Sequence, residues 1–265
     1  MKTTKKAKNT KKYQKLTNLW AKFVNFFDAM LFPDNIKCIF CGRDINHFEE
    51  QPYCDECAKK LVKNEGNRCR VCDEKIENEA IICDHCQKQK RSFKRAYCPF
   101  IYEGIVRQSL ISYKMNNKRY LAKSYAKFIY NYIGEDFKNF DVITYVPMTK
   151  KKEKMRSFNQ AKLLAEELAK ISNLQICECL IKTVETKEQK NLNFKERKEN
   201  LSNCFKIVNE KEIKGKRVLL VDDIITTCAT TDTCSKLVAK YAKSVCVTSV
   251  ARNILKEKEI SQNIF

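Results

Sequence analysis

The stretch Val218–Thr230, VLLVDDIITTCAT, sets four apolar residues, two adjacent carboxylates, two more apolar residues and a threonine-rich cluster in that order. A short, continuous apolar run bounded by polar residues is the pattern of a central strand in a parallel sheet covered on both faces. Asp222 and Asp223 then emerge at its carboxyl end, where open α/β sheets bind their ligands. Apolar residues recur at helical spacing from Thr230 to Tyr241, which predicts a helix whose amino end faces the same point. The hydroxyls of Thr226, Thr227 and Thr230 join main-chain N–H groups there. Such a nest suits a phosphate. Two carboxylates beside it would repel the anion unless they accept hydrogen bonds from a sugar diol or meet a bound Mg²⁺. A phosphorylated ribose satisfies both demands.

This loop resembles the signature of type I phosphoribosyltransferases, which holds 5-phosphoribosyl 1-pyrophosphate (PRPP) by its 5′-phosphate and ribose hydroxyls. The resemblance implies PRPP contacts from Asp222, Asp223, Thr226, Thr227, Cys228, Ala229 and Thr230, with Asp222 and Asp223 orienting the ribose. It departs from the pattern at Cys228, where the family usually has glycine. A Cβ at a position of positive φ costs on the order of 1 kcal/mol. That favours binding over efficient turnover.

A second pattern lies in the first third of the chain, where cysteines form four C-x-x-C pairs: Cys38/Cys41, Cys54/Cys57, Cys69/Cys72 and Cys83/Cys86. A C-x-x-C turn points two thiolates at one tetrahedral metal, so eight ligands predict two zinc sites. The intervening stretches are long enough for hairpins. Sequential pairing gives two zinc ribbons, and an interleaved arrangement is also compatible with the spacing. Four thiolates per metal leave no open coordination position, which makes these sites structural. The other seven cysteines, Cys98, Cys177, Cys179, Cys204, Cys228, Cys234 and Cys246, read mostly as buried small apolar residues. So many unpaired thiols point to a reducing compartment, the cytoplasm. No histidine occurs beyond His85, so a general base in the second half would be a carboxylate, a tyrosine, a lysine or the substrate itself.

The chain of 265 residues accommodates one domain with a full core plus a small metal-stapled one. No run of eighteen uncharged apolar residues is present, so no stable membrane insertion is expected. Leu16 to Phe32, after a lysine-rich arm, places Trp20, Phe23, Phe27 and Leu31 on one helical stripe. This helix is expected to dock on the ribbons, with a membrane surface as the less favoured alternative. The formal charge of +20 invites polyanions, although 41 lysines against 11 arginines is a bias that coding composition also produces. The cluster Lys150–Arg156 is read as a loop between a strand, Asp141 to Pro147, and a helix, Asn159 to Ile171. At the active edge of the sheet its charge suits a pyrophosphate or a polynucleotide backbone equally.

Three further segments, Tyr102–Ile129, Val146–Ala169 and Glu185–Phe205, resemble blocks of the ComF family, which joins zinc ribbons to a phosphoribosyltransferase-like domain. The family's R-G-F-N-Q block stands here as Arg156, Ser157, Phe158, Asn159 and Gln160, so a second glycine is replaced. By position, Arg156, Asn159, Gln160, Gln189, Arg197 and Asn200 belong to family motifs, and Arg156 joins Asp222 and Asp223 as a candidate catalytic residue. On residue evidence alone, Asn159 also reads as a helix cap and Arg197 as a surface charge. The resemblance further implies a part in natural transformation, beside an ATP-driven helicase and other cytoplasmic proteins that receive single-stranded DNA.

Two readings of function follow. In one, the pocket binds PRPP or a DNA end and the protein is an adaptor in DNA uptake. In the other, it is a Mg²⁺-dependent phosphoribosyltransferase that displaces pyrophosphate from C1 of PRPP with a nitrogen nucleophile. Cys228, and the lack of a recognisable nucleobase-specificity segment, favour the adaptor. The expected architecture is a basic arm and helix over 1–36, a double zinc ribbon over 37–90, an α/β phosphoribosyltransferase-like domain over 95–252 and a tail over 253–265. The parallel sheet is expected to include Asp141–Val146, Arg217–Val221 and Ser244–Val250.

Overall fold

The computed structural model describes residues 37–45, 51–76, 79–184 and 204–254. The basic arm, the Leu16–Phe32 helix, the motif residues Gln189, Arg197 and Asn200, and the chain beyond 254 lie outside the described residues. Two compact units divide the chain, 1–58 and 59–265.

Each unit contains one cysteine knuckle, and the two are built alike. In the first, Cys38 N–H donates to Arg43 O (2.7 Å) and Gly42 N–H to Cys38 O (2.8 Å). Gly42 has φ +75, and the short helix α1 (Asp55–Ala58) starts directly after Cys54. In the second, Cys69 N–H donates to Glu74 O (2.8 Å), Asp73 N–H to Cys69 O (3.0 Å), and α2 (Asp84–Lys88) follows Cys83. Asp73 takes the left-handed position of Gly42, with φ +59. Aspartate tolerates that conformation better than most residues, and here its side chain is used. Its Oδ2 accepts from Cys98 N–H (2.7 Å) and from the Tyr132 hydroxyl (3.0 Å), which ties the knuckle to the rest of the second unit. Burial pushes the Asp73 carboxyl up to about 7.

The second unit is organised by a five-stranded, all-parallel sheet in the order β1 (Ala96–Tyr97), β9 (Ser244–Thr248), β7 (Arg217–Val221), β3 (Val142–Tyr145), β4 (Gln175–Ile176). The three strands expected from sequence are its centre. Val218, Leu219, Leu220 and Val221 are all fully buried, which is why the run reads as continuously apolar rather than alternating. Helices flank the sheet: α3 (Gly104–Met115), α4 (Leu121–Ile133), α5 (Lys150–Arg156), α6 (Gln160–Ser172) and α7 (Ala229–Val238). The chain passes from β3 to β4 through α5 and α6, and from β7 to β9 through α7. A small parallel sheet, β2 (Phe100–Ile101), β10 (Ala251–Arg252) and β8 (Ile224–Ile225), lies where β7 and β9 run on past the main sheet. The strands β5 (Leu180–Lys182) and β6 (Phe205–Ile207) form an antiparallel hairpin.

The lysine cluster is helical, not a loop. Thr149 caps α5 by accepting from Lys152 N–H (3.3 Å), and the following Lys, Glu, Met and Arg are all good helix formers. The helix stops at Ser157, whose φ of +67 breaks it. Among the described residues no helix is long and apolar enough to cross a membrane.

Candidate functional site

At the end of β7 the ladder runs one residue further, with Asp222 N–H donating to Thr248 O (2.9 Å). The backbone then turns. Asp223 N–H donates to the Asp222 side chain (2.8 Å), and Val250 N–H to Asp223 O (3.1 Å). This arrangement holds both carboxylates at the carboxyl edge of the sheet. Burial pushes Asp222 up to about 7, and the neighbouring charge of Asp223 adds to the effect. Lys114 Nζ, from the last turn of α3, lies 3.1 Å from Asp223 Oδ2. Lys182 on β5 is held below its usual range, first by burial and then by the charge of Lys152 on α5. Two carboxylates and three lysines from four separate segments therefore share this edge.

Beyond β8 come Thr226 and Thr227, both exposed, then Cys228, which is buried with φ +65. Helix α7 begins at Ala229, one residue before the expected Thr230, and its first-turn N–H groups have no carbonyl four residues back within the helix. Thr227 Oγ1 accepts from Ala229 N–H at 3.4 Å, a long contact that leaves the hydroxyl available to another group.

The α5–α6 junction is linked to the same edge through α3. Arg156 ends α5 and is half-buried. Asn159 is a cap: its Oδ1 accepts from Ala161 N–H (3.0 Å) and Lys162 N–H (3.3 Å), while its Nδ2 donates to Val146 O (3.2 Å). Gln160 is fully buried; its carbonyl accepts from the Tyr113 hydroxyl (2.9 Å), and its side-chain amide has no hydrogen-bond partner among the described residues. Arg119 Nη2 donates to Ser157 O (3.2 Å), and its guanidinium lies 4.9 Å from the centre of the Phe158 ring. Tyr113 and Lys114, adjacent on α3, thus hold the junction and the Asp223 turn respectively.

The chain resembles proteins of DNA uptake. Competence protein F of Haemophilus influenzae is 28% identical over 224 residues, covering 82% of this chain and 93% of that protein. Competence protein ComFC of Bacillus subtilis is 24% identical over 76% of this chain and 83% of its own length. DNA utilization protein YhgH of Escherichia coli K12 is 22% identical over 67% and 79%. The chain is similar to these competence and DNA utilization proteins over most of its length. No protein-family profile matches it. Among solved structures, a hypoxanthine phosphoribosyltransferase from Staphylococcus aureus aligns with a TM-score of 0.33 at 12% identity, covering 53% of this chain and 77% of that one. A phosphoribosylpyrophosphate synthetase from Mycobacterium smegmatis aligns with a TM-score of 0.33 at 19% identity, covering 52% of this chain and 37% of that one.

The donors of the two expected zinc sites are in place. Cys38, Cys41, Cys54 and Cys57 gather with their sulfurs within 4.8 Å of one another, as do Cys69, Cys72, Cys83 and Cys86. The pairing is sequential. All-sulfur sets of four fit zinc, and none of the four thiols in either set is tied up in a disulfide. Of the seven scattered cysteines all are buried except Cys246, which is half-buried.

Lys114 and Lys182 belong to this site although no motif marked them. Lys114 lies inside the Tyr102–Ile129 block, but only the fold brings it to Asp223.

Proposed function

We propose that this protein handles single-stranded DNA during DNA uptake, as a cytoplasmic adaptor whose β7–α7 loop binds PRPP or a related ribose phosphate. The observation that carries the reading is the adjacent pair Asp222 and Asp223, with Lys114 3.1 Å from Asp223, on the segment that leads into α7, in a chain similar to competence proteins. In this reading Asp222 and Asp223 take the ribose hydroxyls. Thr226, Thr227, Cys228, Ala229 and Thr230 surround the 5′-phosphate. Arg156, with Lys152 and Lys182, faces the pyrophosphate. Magnesium bound with PRPP would screen the charge between pyrophosphate and carboxylates, and Asp222 and Asp223 are the residues available to hold it. An uptake helicase is the partner this role implies. The free thiols fit a reducing compartment.

Calorimetric titration of PRPP with Mg²⁺ into the zinc-loaded chain tests the loop. Thr227→Val, which deletes a phosphate donor, is expected to weaken binding by about 1 to 3 kcal/mol. No binding of PRPP at millimolar concentration to the unaltered protein sinks the ribose-phosphate reading. Release of pyrophosphate on addition of nucleobases or amines would replace the adaptor with a transferase, using the same residues as catalytic groups.

A further inference from the structure

The second cysteine cluster and the β7–α7 loop are joined by a buried chain of polar contacts. Glu74 Oε2 lies 3.7 Å from both Cys72 Sγ and Cys83 Sγ. The same oxygen accepts from Arg252 Nη2 at 3.2 Å. Arg252, only 3% exposed, also donates from Nη1 to Ile225 O (3.2 Å), the residue that closes β8 just before the threonines. Its strand β10 pairs with β8 directly, Arg252 opposite Ile225. A second contact links Ser92 N–H, a few residues past Cys86, to Asp232 Oδ1 in the first turn of α7 (2.6 Å).

These contacts are arranged as outer-shell partners of a metal site. Thiolates bound to a metal carry negative charge. The buried Arg252 guanidinium balances that charge together with that of the Glu74 carboxylate beside it. The loop they reach is the one proposed to hold the anion. Its backbone at Cys228 is in a conformation that a non-glycine residue keeps only when its surroundings enforce it.

We infer that Glu74 and Arg252 are positioning residues that make metal occupancy at Cys69, Cys72, Cys83 and Cys86 set the conformation of the loop from Ile224 to Thr230. Metal bound at this cluster orders the loop. By reciprocity, a ligand on the loop tightens binding of that metal. This goes beyond the ligand reading above and rests on it only for the reciprocal arm.

Hydrogen exchange of the full chain, followed by mass spectrometry, tests the coupling without any PRPP. Cys69→Ser is expected to lower the zinc content by one ion and to speed amide exchange in the Ile224–Thr230 segment by about tenfold or more. Cys54→Ser empties the other cluster and is expected to leave that segment unchanged. Arg252→Gln is expected to keep both metals and still loosen the segment. Unchanged exchange in metal-loaded Arg252→Gln overturns the inference. So does equal loosening by Cys54→Ser and Cys69→Ser. If Cys69→Ser also exposes the amides of β7, it has unfolded the unit, and Arg252→Gln alone decides. Failure of PRPP to bind the unaltered protein would remove the ligand reading and leave these exchange results standing.

Discussion

Ser157 and Cys228 share one backbone conformation, with φ +67 and +65, and each stands where a pattern the sequence resembles has glycine, that of the ComF family for Ser157 and that of type I phosphoribosyltransferases for Cys228. Left-handed φ costs a residue with a Cβ about 1 kcal/mol. The two positions differ in burial. Ser157 is exposed, so Ser157→Gly changes little besides backbone strain and is expected to stabilise by roughly 0.5 to 1 kcal/mol. Cys228 is 2% exposed, so in Cys228→Gly the relief of strain is offset by removal of a buried thiol. Thermal unfolding of the two variants side by side checks this. A higher Tm is expected for Ser157→Gly and little change, or a fall, for Cys228→Gly. Equal gains would mean that Cys228 contributes nothing through its side chain.

Two zinc ions per chain are expected by elemental analysis, because both sets of four thiols are gathered without a disulfide. Knuckles of this size have little core, so metal binding supplies much of their folding free energy. A strong chelator at neutral pH should therefore release both ions and lower the Tm. Metal-free protein with an unchanged melting curve would refute a structural role.

Asp222 makes a pH-dependent contribution whose sign follows from its environment. Its carboxyl is raised to about 7 in the folded chain, whereas in the unfolded chain it titrates near its ordinary value. Between about pH 4 and 7 the folded state holds the extra proton, so stability falls as pH rises through that window and levels off above it. Asp73, raised to about 7 by burial, adds a slope of the same sign. Asp222→Asn should remove part of that slope, making the variant more stable than the parent at pH 8 by on the order of 2 kcal/mol. That figure is reduced from the full linkage value because Asp222 is only partly shielded from solvent. Denaturant titrations at pH 5 and pH 8 measure it. Identical slopes in both proteins would place the burial cost elsewhere.

What could be read from the sequence was local. Val218–Val221 announced a covered strand because every residue in it is apolar, and Asp222–Asp223 marked its end without reference to any distant group. The C-x-x-C pairs were equally self-contained, since two ligands of each metal lie three residues apart. Lys114 was not legible as a site residue, because its value depends on Asp223 across a fold that only the sheet brings together. The same holds for Glu74 and Arg252, which read as ordinary charges until β10 sets Arg252 beside Ile225. Asn159 could be seen as a cap or as a site residue, and the structure shows it capping α6. The loop reading of Lys150–Arg156 gave weight to the charge run and too little to Thr149, whose side chain starts the helix.

The helical form of that lysine cluster sharpens what it should do with DNA. Lys150, Lys151 and Lys154 are exposed on α5, while Lys152 is half-buried and close enough to Lys182 to lower its proton affinity. In the proposed reading the first three meet a polynucleotide backbone, and Lys152 meets the anion held by the β7–α7 loop. Replacing Lys150, Lys151 and Lys154 with glutamine should weaken single-strand binding with little sequence preference. It should also flatten the dependence of log K on log salt by about 0.7 for each phosphate that is no longer neutralised. Lys152→Gln should instead weaken PRPP binding and leave the salt slope of DNA binding nearly unaltered. Fluorescence anisotropy with a labelled oligonucleotide at two or more salt concentrations, beside PRPP calorimetry, separates the two roles. A triple variant with the parent's salt slope would show that α5 does not contact DNA, and its lysines would then be a solvated face.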